Sequence, residues 1–245
     1  MDLRMAVSAG DGSGQVGFEE KGPFSLPNVG ALPVAQTDVV RFVGDKQESS
    51  SFISTGRSVF IGSGGQVYRL PDATVARLRQ ASGGGGNLAG LQIDRWAKGA
   101  SVMDGGTVDG VSTDRVVASV SVPQFLNDVM QLSRGLGQNT VVPQVTTADA
   151  ADLSRAVKAS HFEAWVGRDD HLVRRLSVGV DFSAPAGGPN SDAVARYSQS
   201  RIQLDLLLSR VNHPVTVAEP PGAQPFAAFC SRQPDAPACA AATAS

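Results

Sequence analysis

The 245-residue sequence is poor in the side chains from which reactive centres are built: it has two cysteines and three histidines. His161 begins an expected strand, His171 sits in an expected hairpin turn, and His213 precedes Pro214. No two of them share the i, i+4 spacing that places a pair on one helix face, so solvated loop-edge histidines are the ordinary reading. A surplus of positive charge is also missing. A formal net charge of −2 leaves no electrostatic footprint for DNA or RNA, and nucleic acid is set aside as a partner. No run of about 18 apolar residues exists, so no helix of the sequence spans a bilayer. A basic segment followed by an apolar one is absent near Met1, where Leu3, Met5 and Val7 already alternate as in a strand. The expectation is a chain that lacks an export signal and some preceding structure.

What is present is a globular composition, 42% apolar and 18% charged. Short strands separated by turn residues dominate the first third. Val16 and Phe18 alternate within Gln15–Gly22, Val39 to Phe42 lie within Thr37–Val43, and Phe52 and Ile53 sit in Ser51–Thr55. Ser58–Gly62 and Gln66–Leu70 flank Ser63-Gly64-Gly65, which has hairpin-turn chemistry. Gly10 to Gly14 reads as another turn. Asp72 can cap a helix over Ala73–Ala81 with Val75 and Leu78 on its apolar side. Gly83 to Gly86 ends it, and Leu88, Leu91, Ile93 and Trp96 make one or two further helical turns.

The second half opens with two strands, Ser101–Val108 and Ser112–Val120, around Asp109-Gly110, a strong type I′ signal. A helix over Pro123–Ser133 has Phe125, Leu126, Val129 and Leu132 on one stripe, and Thr147 caps a second helix ending at Val157. His161–Gly167 and Leu172–Phe182 form a hairpin. Ala195–Arg210 reads as one long strand, and Val215 with Val217 as a last short one. Helices inserted as a block, rather than between every pair of strands, argue for an α+β protein with an antiparallel sheet of about eight to eleven strands. Such a sheet curls, and helices cover its concave face.

Catalytic motifs are not found. Gly83 to Gly86 has no following Lys-Ser or Lys-Thr, and Gly62 to Gln66 precedes a strand rather than a helix, so neither is a phosphate loop. Ser54 and Ser58 lie in no nucleophile elbow. Asp169-Asp170 lacks the further oxygens a calcium loop requires and reads as turn chemistry. Arg174 and Arg175 alternate across the sheet, which leaves open one contact to an acidic head group. Cys230 and Cys239 flank Pro234 and Pro237 in a Pro/Ala-rich stretch. They are either a local disulfide in an oxidising compartment or two free thiols in a disordered tail. Neither a metal nor a cofactor is expected, since His213 is the nearest further ligand to these thiols.

Several segments, in this order, resemble one family. They are Lys21-Gly22-Pro23-Phe24, Phe52-Ile53-Ser54-Thr55-Gly56, and Gly65 to Pro71 (GQVYRLP). They continue with Val108-Asp109-Gly110-Val111-Ser112-Thr113 leading to Val122 to Leu126, Glu163-Ala164-Trp165-Val166-Gly167 with Leu172 to Leu176, and Val211–Ala218. The order is similar to that of LolA-like bacterial lipoproteins of the LppX/LprG broad type, over roughly residues 2–220. The resemblance implies a half-barrel with helices across its mouth, one domain over 1–220 without the N-terminal helix and signal, and a disordered tail over 221–245. It implies an extracytoplasmic, non-catalytic and monomeric carrier for a lipid or acyl chain, with a membrane surface as a further partner through a lipid anchor that this sequence lacks. Residues expected to line the cavity are Phe18, Phe52, Phe60, Val117, Leu176, Val178, Leu204 and Leu206 on strands, with Phe125, Leu126 and Val129 on a helix. The alternative from another class is a cell-surface interaction protein with the same fold, a packed core and no ligand.

Overall fold

The computed structural model describes residues 1–8, 14–25, 31–81, 92–135, 147–183, 198–234 and 239. The expected turn at Gly10 to Gly14 and the link at Gly83 to Gly86 fall wholly or largely outside them. The strands are β1 (Asp2–Ser8), β2 (Gln15–Lys21), β3 (Phe24–Ser25), β4 (Val34–Val43), β5 (Lys46–Thr55), β6 (Val59–Ser63) and β7 (Gln66–Arg69). After helix α1 (Asp72–Ala81) and a 3-10 turn (Ile93–Arg95) come β8 (Ala97–Val108) and β9 (Val111–Val120). Helices α2 (Val122–Gly135) and α3 (Thr147–Ala156) precede β10 (Val157–Gly167), β11 (Val173–Phe182) and β12 (Arg201–Leu207). The described chain closes with β13 (Gln224–Pro225) and helix α4 (Phe226–Arg232).

This is the α+β class expected, with a sheet ordered β13-β7-β6-β5-β4-β2-β1-β12-β11-β10-β9-β8 and with β3 beside β4. Thirteen strands are present among the described residues; the excess over eleven includes β3 and β13, two residues each and too short to leave a periodic signal. The chain divides into two compact units. The first holds Met1–Glu19, Arg41–Gln47 and Leu91–Asn212, and the second Glu20–Val40, Glu48–Gly90 and His213–Ser245.

In the first unit the Asp109-Gly110 turn forms as its chemistry demands. Both residues have positive φ, 52° and 77°, which matches the twist of the strands they join. Gly17 shows why β2 bears no side chain there: an added Cβ would lie 2.0 Å from the Met5 carbonyl oxygen and 2.7 Å from Phe42 Cζ. Of the long strand expected over Ala195–Arg210, residues 195–197 lie outside the described residues and the rest is shorter. Positive φ at Gln199 and Arg210 bends the backbone at both ends, and β12 keeps only Arg201–Leu207. Val215 and Val217 form no strand.

In the second unit, part of the tail expected to be disordered over 221–245 is folded, namely Gln224–Arg232 and Cys239; residues 235–238 and 240–245 lie outside the described residues. Gln224 and Pro225 pair in parallel with Tyr68 and Arg69 of β7. Phe226 and Phe229, three apart on α4, are buried with Leu32, Val59, Tyr68, Leu70 and Val75. Phe229 meets Tyr68 edge-on at 5.3 Å and stacks on Phe226 at 5.3 Å. Cys230 and Cys239 are joined in a disulfide, with Cα atoms 5.5 Å apart, and Cys239 itself is buried in this core. Composition hid these contacts, because two aromatic anchors outweigh many alanines.

Candidate functional site

The register of β1, β12, β11, β10 and β9 sorts their side chains into two faces. Leu3, Leu206, Leu176, Ala164 and Val116 form one row across the five strands. Met5, Leu204, Val178, Phe162 and Ala118 form the next, and Val7, Ile202, Val180 and Ser160 a third. Met5, Leu204, Val178 and Leu176 are 0% exposed. Phe18 joins this face by alternation. Its neighbours Gln15 and Glu19 turn the other way, Gln15 accepting a hydrogen bond from Arg4 at 3.3 Å and Glu19 pairing with Arg4 at 3.4 Å.

Helix α2 of the same unit turns Phe125, Leu126 and Val129 into the interior, all fully buried. It packs against α3 and the 3-10 turn. Its placement depends on a residue that sequence reasoning missed, Asp128. One carboxylate oxygen accepts hydrogen bonds from the Trp96 indole at 2.8 Å and the Gln92 backbone N–H at 2.9 Å. Trp96 in turn meets Phe125 edge-on at 5.2 Å. The available signal was an acid within an apolar stripe, since a buried carboxylate needs donors.

The expected lining residues therefore separate. Phe18, Leu176, Val178, Leu204 and Leu206 share a face, and Phe125, Leu126 and Val129 are buried in the same unit. Val117 does not share that face. It pairs with Glu163 and Ser101, in the row of Ser177, Asp205 and Arg4, on the polar side. Phe52 and Phe60 lie in the second unit on opposite faces of β5 and β6. Phe52 pairs with Ile61 and joins the core of Tyr68 and Phe229, whereas Phe60 pairs with Ile53.

Charge enters the apolar face at its margin. Arg174 is 4% exposed and forms an ion pair with Asp170 of the hairpin turn. The Leu172 backbone N–H bonded to Asp170, together with Arg174, holds that carboxyl below its usual range. Asp170 is thus structural, neutralising a buried guanidinium. In the second unit, burial pushes the Glu20 carboxyl up, partly opposed by the Thr37 hydroxyl donating to it at 2.7 Å. Among the described residues no group of three His, Cys, Asp or Glu side chains could hold a metal ion.

The face therefore offers area and shape rather than chemistry. No family model matches the chain, and no curated protein matches it. Solved structures do. The chain is similar to LprF from Mycobacterium bovis, with 12% identity, 90% of each chain covered and a TM-score of 0.37. It is likewise similar to the Mycobacterium tuberculosis lipoprotein LppX, with 16% identity, 89% of each chain covered and a TM-score of 0.33.

Proposed function

We propose that this chain is a non-catalytic binding protein for a lipid acyl chain or a comparable hydrophobic ligand, and that it works outside the cytoplasm. The observation that carries the reading is the apolar wall of the first unit, in which two rows over five strands and an adjoining one over four hold no charged side chain. A ligand here would lie against Phe18, Leu176, Val178, Leu204 and Leu206, with Phe125, Leu126 and Val129 of α2 as the opposing surface. Each methylene buried yields about 0.8 kcal/mol, so a long acyl chain binds on area alone and needs no reactive group. The Cys230–Cys239 disulfide supports an oxidising compartment. No helix among the described residues is long and apolar enough to cross a membrane.

A second reading is favoured by the dryness of the same wall. With Leu176, Val178, Leu204, Phe125 and Leu126 all at 0% exposure, the interior is packed by its own side chains. A ligand must then part α2 from the sheet, or the protein is an interaction module with a solid core. Native mass spectrometry of protein purified from its host separates the two. The carrier reading expects a mass excess that disappears on solvent extraction, with an apolar compound in the extract. A protein at its sequence mass that also fails to bind a fluorescent fatty acid saturably overturns it.

A further inference from the structure

The other face of the same strands carries a row of different character. Met103 of β8 pairs with Arg115 of β9, Arg115 with Trp165 of β10, Trp165 with Arg175 of β11, and Arg175 with Leu207 of β12. Strands about 4.8 Å apart make this a line about 19 Å long. Met103, 45% exposed, and Leu207, 41% exposed, are the aliphatic members of the line, which continues past Leu207 to Asp2 of β1. Its centre is an indole between two guanidinium groups, with Arg115 Cζ 5.3 Å and Arg175 Cζ 4.8 Å from the ring centroid.

The two arginines differ in how their charge is met. Arg115 is paired with Glu163, and its Nε is buried with no hydrogen-bond partner. Around the row, Arg201 is paired with Asp181, Arg168 with Asp104 and Asp114, and Arg4 with Glu19. Asp205 accepts from Ser177 and Gln203. Arg175 is exposed, and among the described residues it meets the Trp165 ring and no carboxylate. A guanidinium stacked by its face on an aromatic ring keeps its edge N–H donors free, in the planar fork that fits a phosphate bidentately.

We infer that this row is a docking surface for the head-group layer of an anionic phospholipid membrane. Arg175 binds lipid phosphate, Trp165 sits at head-group depth, and Met103 and Leu207 enter the outer edge of the acyl region. Three physical requirements coincide here. Arg175 is oriented by the ring and has no carboxylate partner among the described residues, the aromatic ring is amphipathic, and Met103 and Leu207 are apolar and exposed. The surface lies opposite the proposed ligand face, so it stands whether or not that face takes a ligand.

Vesicle flotation tests the inference with the whole chain. The probe is phosphatidylcholine vesicles with phosphatidylglycerol at roughly one lipid in three, against phosphatidylcholine alone, at low ionic strength. The expected result is co-flotation with the anionic vesicles that is lost as salt rises. Tryptophan emission should shift to the blue on binding. Trp96 is already fully buried, so the shift belongs to Trp165 and is absent in Trp165→Phe. Arg175→Gln, an exposed substitution that leaves the fold intact, should lower partitioning about fivefold, the usual effect of one basic residue at such a surface. Equal binding to neutral vesicles, no flotation at low salt, or partitioning unchanged in Arg175→Gln would each overturn the proposal.

Discussion

Arg174 and Arg175 are neighbours in sequence and occupy opposite faces of one sheet. Arg174 lies among apolar side chains and is tied to a carboxylate by an ion pair. Arg175 lies in the open, stacked on an indole. The difference teaches that the two faces obey different rules. On the inner face a charge persists only with a partner, because desolvation without compensation costs several kcal/mol. On the outer face several arginines meet carboxylates close to water, and each such pair contributes little.

Substitutions can break this contrast. The largest effect is expected from Leu204→Ala, which opens a cavity beside Val178 and Met5 and should cost about 3 kcal/mol in urea unfolding. Leu207→Ala, three residues on and exposed on the outer face, should change stability by less than about 0.5 kcal/mol. If the two cost the same, the faces are not distinct. Asp170→Ala comes next, expected to lower the urea midpoint, because it leaves the buried Arg174 guanidinium without its carboxylate. Adding Arg174→Met should recover most of that loss; failure to recover would show that Asp170 acts through its turn instead.

Smaller effects sharpen the comparison. Arg201→Ala removes a bidentate pair with Asp181, at 2.5 and 2.9 Å, that is largely exposed. The expected loss is about 0.5 kcal/mol after solvent screening. Arg201 holds the Asp181 carboxyl below its usual range, so this stabilisation is present above the unfolded carboxylate value and fades as pH falls through the folded one. Glu20 runs the other way. Its carboxyl is raised by burial, so the native state keeps the proton longer, and stability falls as pH rises from the ordinary carboxylate range through the folded value. Thermal unfolding of Glu20→Gln should show the variant gaining on the parent as pH rises from the ordinary carboxylate range. A gap independent of pH would remove Glu20 as the cause.

Much of this organisation was legible in the residues themselves. Asp109-Gly110 announced its hairpin, and the single alternations in β11 and β12 placed Leu176, Val178, Leu204 and Leu206 together. Where two apolar residues adjoin, alternation cannot choose a face. Val116-Val117 and Phe52-Ile53 are such pairs, and only cross-strand register sends Val117 outward and separates Phe52 from Phe60. Register depends on bulges, as between Lys98 and Ser101 of β8, and these leave no periodic trace. Helix α1 shows the same limit. Val75 is buried as its spacing suggests, yet Leu78 on that stripe is 37% exposed. The outer row of Trp165 and Arg175 was the hardest to read, since five residues far apart in sequence become a line only after pairing.

The pairing of β13 with β7 and the burial of Phe226 and Phe229 bear on the order of assembly. The core of the second unit joins Leu32, Val59 and Tyr68 to residues near the end of the chain. A ribosome delivers those early strands long before the aromatic pair that covers them. Until the last turn of α4 emerges and Cys230 meets Cys239, the second unit carries an open sheet edge and an uncovered apolar surface. Closure of the second unit therefore waits for Gln224–Arg232 and Cys239 to be made, rather than following directly on the folding of its first strands.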